Sequence, residues 1–186
     1  MAGDETWWTR LAQPSLHTWT DEPVRLVQQS VAKDDPDPKA LVRYGLLLRP
    51  SGGESEELCL RFVDGRPVSA ITTQFLADGC DRLAARGKRA LLLVWDNASW
   101  HISKAVKGWI REHNRKVKQA GRGVRIITCQ LPVKSPWLNP IEPKWVHGKR
   151  AVVEPARLLS AAELVERVCA HFHCHCQDHL IAQQAA

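Results

Sequence analysis

The stretch "ALLLVWDNASWH", residues 90–101, joins a continuous apolar run to a polar, turn-like segment. A short apolar run of this kind is typical of a strand that is buried on both faces of a sheet. Asp96 follows at the carboxyl end of that strand, where open α/β sheets often carry functional side chains. An Asx turn that caps the next helix explains Asp96 equally well. Both interpretations stay open from this stretch alone.

The apolar patterns on either side of this strand predict an α/β fold. Strands are predicted at 41–49, 57–63, 90–96 and 123–131, and helices at 71–86, 103–118, about 140–150 and 160–172. Thr72 or Thr73 is expected to cap the first helix, and Ser160 with Glu163 forms a capping box at the last. A turn, "PSGGES", joins the first two strands, and residues 21–40 hold a short strand-like run before an acidic loop. This order of elements predicts a partly parallel sheet.

The length and composition are those of an ordinary globular chain. The 186 residues fit one domain with a sizeable core. No apolar run is long enough to cross a bilayer, and the first residues do not resemble a secretory signal. The six cysteines are therefore expected to be buried thiols rather than disulfides.

The positive charge is concentrated in one segment. Residues 1–100 hold 12 Lys and Arg against 14 Asp and Glu, whereas residues 101–150 hold 12 against 2. A folded segment this basic favours a polyanion, namely nucleic acid, as partner and predicts salt-dependent, sequence-tolerant binding. A solvated helix face is the alternative.

A second carboxylate lies in the stiff stretch "LPVKSPWLNPIEPKW", residues 131–145. Asn139 as helix cap, Pro140 at the first helical position and Glu142 three residues after the cap explain this acid structurally. Pro143 argues against that explanation, because proline disfavours helical backbone in the residue before it. A rigidly held, ionised carboxylate also suits a metal ligand. Asp4 and Glu5, close to the N-terminus, are expected from their position alone to be solvated acids.

Three segments resemble the acidic motifs of DDE-type transposases: "DET" (4–6), "LVWDNASWH" (93–101) and "LPVKSPWLNPIEPKW". The resemblance is to the mariner-like group of bacterial insertion sequences, and it runs from residue 4 to about 152. It implies an RNase H-like mixed sheet flanked by helices, with the first acid on the central strand. It also implies a catalytic domain at 1–152, with a C-terminal helix and tail at 153–186.

The resemblance implies that Asp4, Asp96 and Glu142 are catalytic and bind two Mg²⁺ or Mn²⁺ ions. Such hard cations take oxygen ligands, and a pair of them about 4 Å apart supports in-line displacement at phosphorus. The attacking groups would be water for strand cleavage and a DNA 3′-hydroxyl for strand joining. This chemistry defines a metal-dependent endonuclease and polynucleotidyl transferase that needs no small-molecule cofactor.

The resemblance also implies partners and further site residues. Element-end and target DNA are expected partners, with a second copy of the chain in a homodimer, in the bacterial cytoplasm at the nucleoid. Asn97 and His101 belong to the second motif and would orient Asp96 or approach the scissile phosphate. The remaining DNA contacts are expected from basic side chains: Lys104, Lys107, Arg111, Lys134, Lys144, Lys149 and Arg150.

Two features depart from the family pattern. The 45 residues between Asp96 and Glu142 exceed the spacing in many mariner-like relatives, and only three residues precede Asp4. We therefore expect an N-terminally truncated chain that lacks most of the first strand and a helix-turn-helix region, with impaired stability and activity. The alternative function is an inactive remnant that inhibits by binding DNA or the intact transposase.

The segment "HFHCHCQDH", residues 171–179, contains ligands that suit zinc. Its spacing does not match the common zinc sites, because alternate positions of a helix point in widely separated directions. We therefore expect a helix end that frays into a tail, with a zinc-binding module as the alternative.

Overall fold

The computed structural model describes residues 2–12, 29–49, 55–154 and 157–181. The strands in these ranges are β1 Ala2–Thr9, β2 Ala40–Leu48, β3 Glu57–Asp64, β4 Ala90–Trp95, β5 Arg125–Gln130 and β6 Leu180–Ile181. The helices are α1 Ser69–Ala85, α2 Lys104–Ala120, α3 Glu142–Val152 and α4 Ala161–His171, with a short 3₁₀ turn at Pro136–Leu138. Most of the predicted "PSGGES" turn and much of the strand-like run expected within 21–40 lie outside the described residues. Within them, no helix is long and apolar enough to span a membrane.

The six strands form one mixed sheet in the order β5-β4-β1-β2-β3-β6. The pairs β1–β2 and β2–β3 are antiparallel, whereas β4 runs parallel to both β1 and β5. Helices α1 and α2 provide the crossovers between β3, β4 and β5, as parallel pairing requires. The predicted α/β fold with a partly parallel sheet is confirmed.

The expectation that the first strand is largely missing is wrong. Strand β1 begins at Ala2, lies between β4 and β2, and pairs with β2 from Ala2 opposite Leu47 to Thr9 opposite Ala40. The expectation assumed that the strand would precede Asp4, whereas most of the strand follows it. The backbone groups of β1 that face β2 are therefore paired, and Ala2 pairs with Val94 of β4 on the other side. The missing strand on which the expected instability rested is present.

Two hydrophobic cores lie on opposite faces of the sheet. Helices α1 and α2 cover one face, where residues such as Ile71 and Val106 pack on the central strands. Helices α3 and α4 cover the other face, where Trp8, Trp145 and Val168 belong to the second core. Strand β1 lies between the cores, so its alternate side chains contribute to different faces.

The predicted helix starts have different outcomes. Ser160 accepts a hydrogen bond from the backbone N–H of Glu163, whose carboxylate binds back, so the capping box of α4 is confirmed. Helix α1 begins earlier, after Val68, and no side chain caps it. The Thr72 hydroxyl instead lies 3.0 Å from the hydroxyl of Tyr44 in the core. Thr72 is therefore a buried residue of α1 and not its cap.

The cysteine- and histidine-rich tail packs back onto the sheet. After α4 ends at His171, the chain returns to form β6, which pairs in parallel with the end of β3. The buried Arg43 guanidinium donates hydrogen bonds from Nη2 to the sulfurs of Cys169 and Cys174. The described residues contain no group of three His, Cys, Asp or Glu side chains placed to hold a metal ion, so the zinc alternative gains no support.

Gly148 on α3 is a position where two elements approach closely. An added Cβ would lie 2.7 Å from Trp8 and 2.7 Å from Phe172. We therefore expect Gly148→Ala to lower the free energy of unfolding by about 1–3 kcal/mol, the usual cost of overpacking. Urea unfolding measures this change.

Gly108 on α2 provides a matched control, because a Cβ there would meet no atom within 4 Å. Gly108→Ala is expected to leave stability unchanged or to raise it by up to about 1 kcal/mol, through helix propensity. Equal effects of the two substitutions would contradict the close packing of α3 against Trp8 and Phe172.

Candidate active site

Asp96 lies directly after β4 and makes an Asx-type turn, whereas Ser103 caps the next helix, α2. The Oδ1 atom of Asp96 accepts a hydrogen bond from the backbone N–H of Ala98 at 3.0 Å, which is an Asx-type contact. The same oxygen lies 2.7 Å from Nδ1 of His101. The hydrogen bond from His101 lowers the pKa of Asp96, and the Ala98 contact adds to that effect. Asp96 is therefore held ionised at the carboxyl end of the strand.

His101 bridges Asp96 to a second carboxylate. Its Nε2 lies 2.9 Å from Glu5 Oε2, on the strand that carries Asp4. Trp95 stacks on the imidazole with ring centroids 4.7 Å apart, and Trp100 donates its indole N–H to Glu5. Burial alone would lower the pKa of His101, but the two carboxylates raise it to about 9. The charged imidazole therefore links the middle of β1 to the residue that follows β4.

Asp4 is a buried carboxyl on the central strand. Only 6% of its surface is exposed, and its Oδ2 accepts a hydrogen bond from the indole N–H of Trp145 at 2.8 Å. Burial raises the pKa of Asp4 to about 8, and the charges of Glu142, Glu5 and Asp96 contribute, while the Trp145 contact opposes the shift. Asp4 is thus a carboxyl whose ionisation requires compensating positive charge.

Glu142 is the first residue of α3, at the end of the helix where backbone N–H groups are free. The predicted Asn139 cap is wrong: no side chain caps α3, and Asn139 donates to the backbone oxygen of Gly3 at 3.3 Å. Pro143 fits inside the first turn, where its missing N–H costs no hydrogen bond. Burial raises the pKa of Glu142, while a hydrogen bond with Asp4 and the charge of Lys149 oppose the shift.

The three acids influence one another electrostatically, although they come from three separate segments. The charges of Glu142 and Asp96 raise the pKa of Asp4, and the charge of Asp96 also raises that of Glu142. Within the described ranges, no three such side chains are gathered closely enough to form a ready metal site. The oxygen donors and their excess negative charge nevertheless suit a divalent cation.

The other predicted site residues lie at different places around the acids. Asn97 donates to the backbone oxygen of Leu131, which ties the Asp96 loop to the segment that follows β5. Lys134 adopts a left-handed backbone (φ of 60°) and lines a cavity of about 360 Å³ with Asp96 and Asn97. Lys144 is 3.4 Å from Glu56, so it is paired with a carboxylate. Exposed side chains are found at Lys104, Lys107, Arg111, Lys149 and Arg150.

Sequence reasoning missed the side chains that hold the acids in place. Trp145 lies in the quoted third motif, and its position three residues after Glu142 gave the one available signal, a shared helix face. Glu5 was noted only as a solvated acid, yet its side chain is buried beside His101. No pattern in the sequence connects Glu5 to a histidine 96 positions away.

A family profile described as "DDE superfamily endonuclease" matches residues 54–165. No curated protein matches the chain in sequence. The fold is similar to a solved structure described as the Mos1 transposase paired-end complex with left transposon end, at 14% identity and a TM-score of 0.62. That match covers 94% of this chain and 47% of the Mos1 chain.

Mos1 paired-end complexes with Mg and with Mn are similar as well, with TM-scores of 0.53 and 0.55. Their identities are 17% and 16%; the matches cover 92% and 94% of this chain and 47% and 48% of theirs. The predicted RNase H-like fold is thus confirmed, and the chain spans about half the length of these transposase chains.

The opposite pKa shifts of Asp4 and Asp96 predict opposite effects of amide substitutions in metal-free protein. The raised pKa of Asp4 means that stability is lost as pH rises from the unfolded value, about 3.9, to the folded value of about 8. Asp4→Asn keeps an oxygen for the Trp145 indole and removes the buried charge. We expect it to stabilise the chain by about 1–3 kcal/mol at pH 9, and by less at pH 5.5.

Asp96→Asn is the matched control, because the lowered pKa of Asp96 means that its ionised form stabilises the fold above its unfolded pKa. This substitution is expected to destabilise the chain at pH 9. Urea unfolding in EDTA at the two pH values measures both effects. Destabilisation by Asp4→Asn at pH 9 would contradict the buried, charge-strained carboxyl.

Proposed function

Because the chain belongs to the DDE superfamily of endonucleases, we propose that it cuts and joins DNA strands as the catalytic part of a mariner-like transposase. The observation that carries this proposal is that contacts bring the segments of all three acids to β1. Trp145 and Asn139, on either side of Glu142, bond to Asp4 and Gly3, and His101 bridges Asp96 to Glu5. Structures similar in fold are described as transposase complexes with transposon ends and as a strand transfer complex.

The proposed ligands of the metal are the three carboxylates. Two Mg²⁺ or Mn²⁺ ions, when bound, would activate the attacking oxygen and stabilise the leaving oxygen of a phosphodiester. The high pKa of Asp4 supports this role, because a nearby cation favours the ionised carboxylate that a ligand must present. The structures similar to this chain include complexes described as containing Mg and Mn.

Each acid has a neighbour that restricts its movement. The Trp145 indole orients Asp4, and the pairing of Asn139 with the Gly3 carbonyl holds the segment before Glu142 against β1. His101, fixed by Trp95 and Glu5, orients Asp96. Catalysis by positioned carboxylates requires such rigid support, since small displacements cost large factors in rate.

The reaction proposed at this site is in-line displacement at a phosphodiester. In cleavage, an oxygen of water bonds to phosphorus and the 3′-oxygen of the neighbouring nucleotide leaves. In joining, a DNA 3′-hydroxyl takes the place of water and attacks a target phosphodiester. Neither reaction needs a covalent intermediate with a protein side chain.

The more specific parts of the proposal come from the motifs. We place the chain with bacterial insertion sequences, in the cytoplasm at the nucleoid, and with a second copy as partner. Element-end and target DNA are the proposed substrates. The catalytic unit is proposed to extend to about residue 152, with residues 153–186 supporting it through α4 and β6.

The proposal is tested by substituting one acid at a time in the purified chain. Glu142→Gln and Asp96→Asn are each expected to reduce Mn²⁺-dependent nicking of supercoiled plasmid at least about 100-fold, the scale on which single electrostatic stabilisers act. Glu163→Gln is the control, because Glu163 belongs to the capping box of α4 and is not a proposed metal ligand.

Nicking that survives both substitutions would contradict the assignment of the acids. A wild-type chain that binds DNA tightly and nicks nothing with either metal ion would favour the alternative, an inactive remnant that acts by binding.

A further inference from the structure

One side of α2 carries a row of exposed basic side chains. Successive members are three or four residues apart, which keeps them on one side of a helix with 3.6 residues per turn. The row consists of Lys104, Lys107, Arg111, Arg115 and Lys118, and all five are exposed. The last two were not among the DNA contacts expected from the sequence.

The row starts beside the acids and leads away from them. Lys104 follows His101, the partner of Asp96, by three positions, and the helix then runs along the sheet past the edge strand β5. Lys107 and Arg111 line a cavity of about 290 Å³ together with His101 and the β5 residues Thr128 and Gln130. From Lys104 to Lys118 the row is about 21 Å long, at 1.5 Å per residue.

Few carboxylates compete for these charges. Glu112 is the acid within α2, and it pairs with Arg115 at 2.9 and 2.7 Å. An exposed pair of this kind contributes little, so a phosphate can replace the carboxylate at low cost. Within the described parts of the chain, no carboxylate pairs with Lys104, Lys107, Arg111 or Lys118. The row is therefore a line of positive charge that is available to an anion.

We propose that the duplex engaged at the acids runs along this row of α2, with its phosphates on the five basic side chains. This inference rests on the proposed function, because it takes the acid end of the sheet as the place where DNA is cut. A row of about 21 Å corresponds to about six base pairs at 3.4 Å each. The row thus defines the direction in which DNA leaves the site.

A second basic surface lies on the other side of α2 and is the main competitor. It is a cavity of about 790 Å³ lined by residues that include Lys88, Arg89 and Lys116. Lys88 and Arg89 precede β4, whereas Asp96 follows it, so this cavity lies toward the opposite end of that strand. A duplex bound at the acids would therefore contact the row of α2 before it reached this cavity.

The test compares two lysines of the same helix. Lys116 and Lys118 are both exposed, but two positions correspond to roughly 200° around the helix, so they lie on nearly opposite sides. The affinity of the full-length Lys118→Gln and Lys116→Gln variants for a labelled 20-base-pair duplex is measured by fluorescence anisotropy in EDTA. The salt concentration is varied from roughly 50 to 200 mM, the range over which the number of phosphate contacts determines the loss of affinity. Arg111→Gln provides a second position in the row.

We expect Lys118→Gln and Arg111→Gln each to weaken binding about 5- to 10-fold near 100 mM salt and to reduce the salt slope by about one. Lys116→Gln is expected to change the affinity less than about twofold. Thermal melting of all three variants is used to check that they are folded.

Equal weakening by Lys116→Gln and Lys118→Gln would overturn the row, because it would indicate a response to net charge alone. A larger loss from Lys116→Gln would also overturn it and place the DNA in the opposite cavity. Because EDTA removes the metal ions that cleavage would need, the assay measures DNA binding to the row independently of cleavage. An intact Lys118 effect in a chain that never nicks DNA would support the row and count against the proposed function alone.

Discussion

The hydrogen bond from the Trp145 indole to Asp4, 2.8 Å long and buried, connects the two parts of the chain on which the site depends. It joins the central strand β1 to helix α3, whose first residue, Glu142, is 138 positions from Asp4 in the sequence. Without this contact, the buried Asp4 carboxyl would lose the indole donor, which is costly in an apolar environment. The neighbouring strand leaves room for the Trp145 ring, because Gly45, opposite Asp4 on β2, has no side chain where the ring lies.

A strained group of carboxyls is the physical signature of the site. The fold places Asp4 under burial and next to Glu142 and Glu5, so that its pKa rises to about 8. Asp96 is in the opposite situation, because His101 stabilises its charge. A buried carboxyl such as that of Asp4 is unfavourable in its ionised form without a nearby positive charge, and dications bound to the carboxylate oxygens would supply that charge. The cost to stability and the proposed catalytic role therefore have the same origin.

The sequence predicted the parts of this structure that depend on local patterns. The apolar run before Asp96 gave β4, and the Ser160–Glu163 pair gave the start of α4. Strand β1 was missed because its buried positions include Gly3, Asp4 and Thr6, so it lacks the continuous apolar run of a strand that is buried on both faces. The Glu5–His101 contact and the placement of Asn139 on Gly3 depend on tertiary packing, which spacing along the chain does not encode.

The central claim, that three separated carboxylates form one metal centre, is tested most directly by a crystal structure with Mn²⁺ and its anomalous signal. We expect two ions about 4 Å apart, with oxygens of Asp4, Asp96 and Glu142 about 2.0–2.3 Å from them. We also expect that the Trp145 indole still donates to Asp4. Manganese bound elsewhere, or Asp96 and Glu142 carboxylates that stay more than about 10 Å apart, too far to share such ions, would contradict this claim.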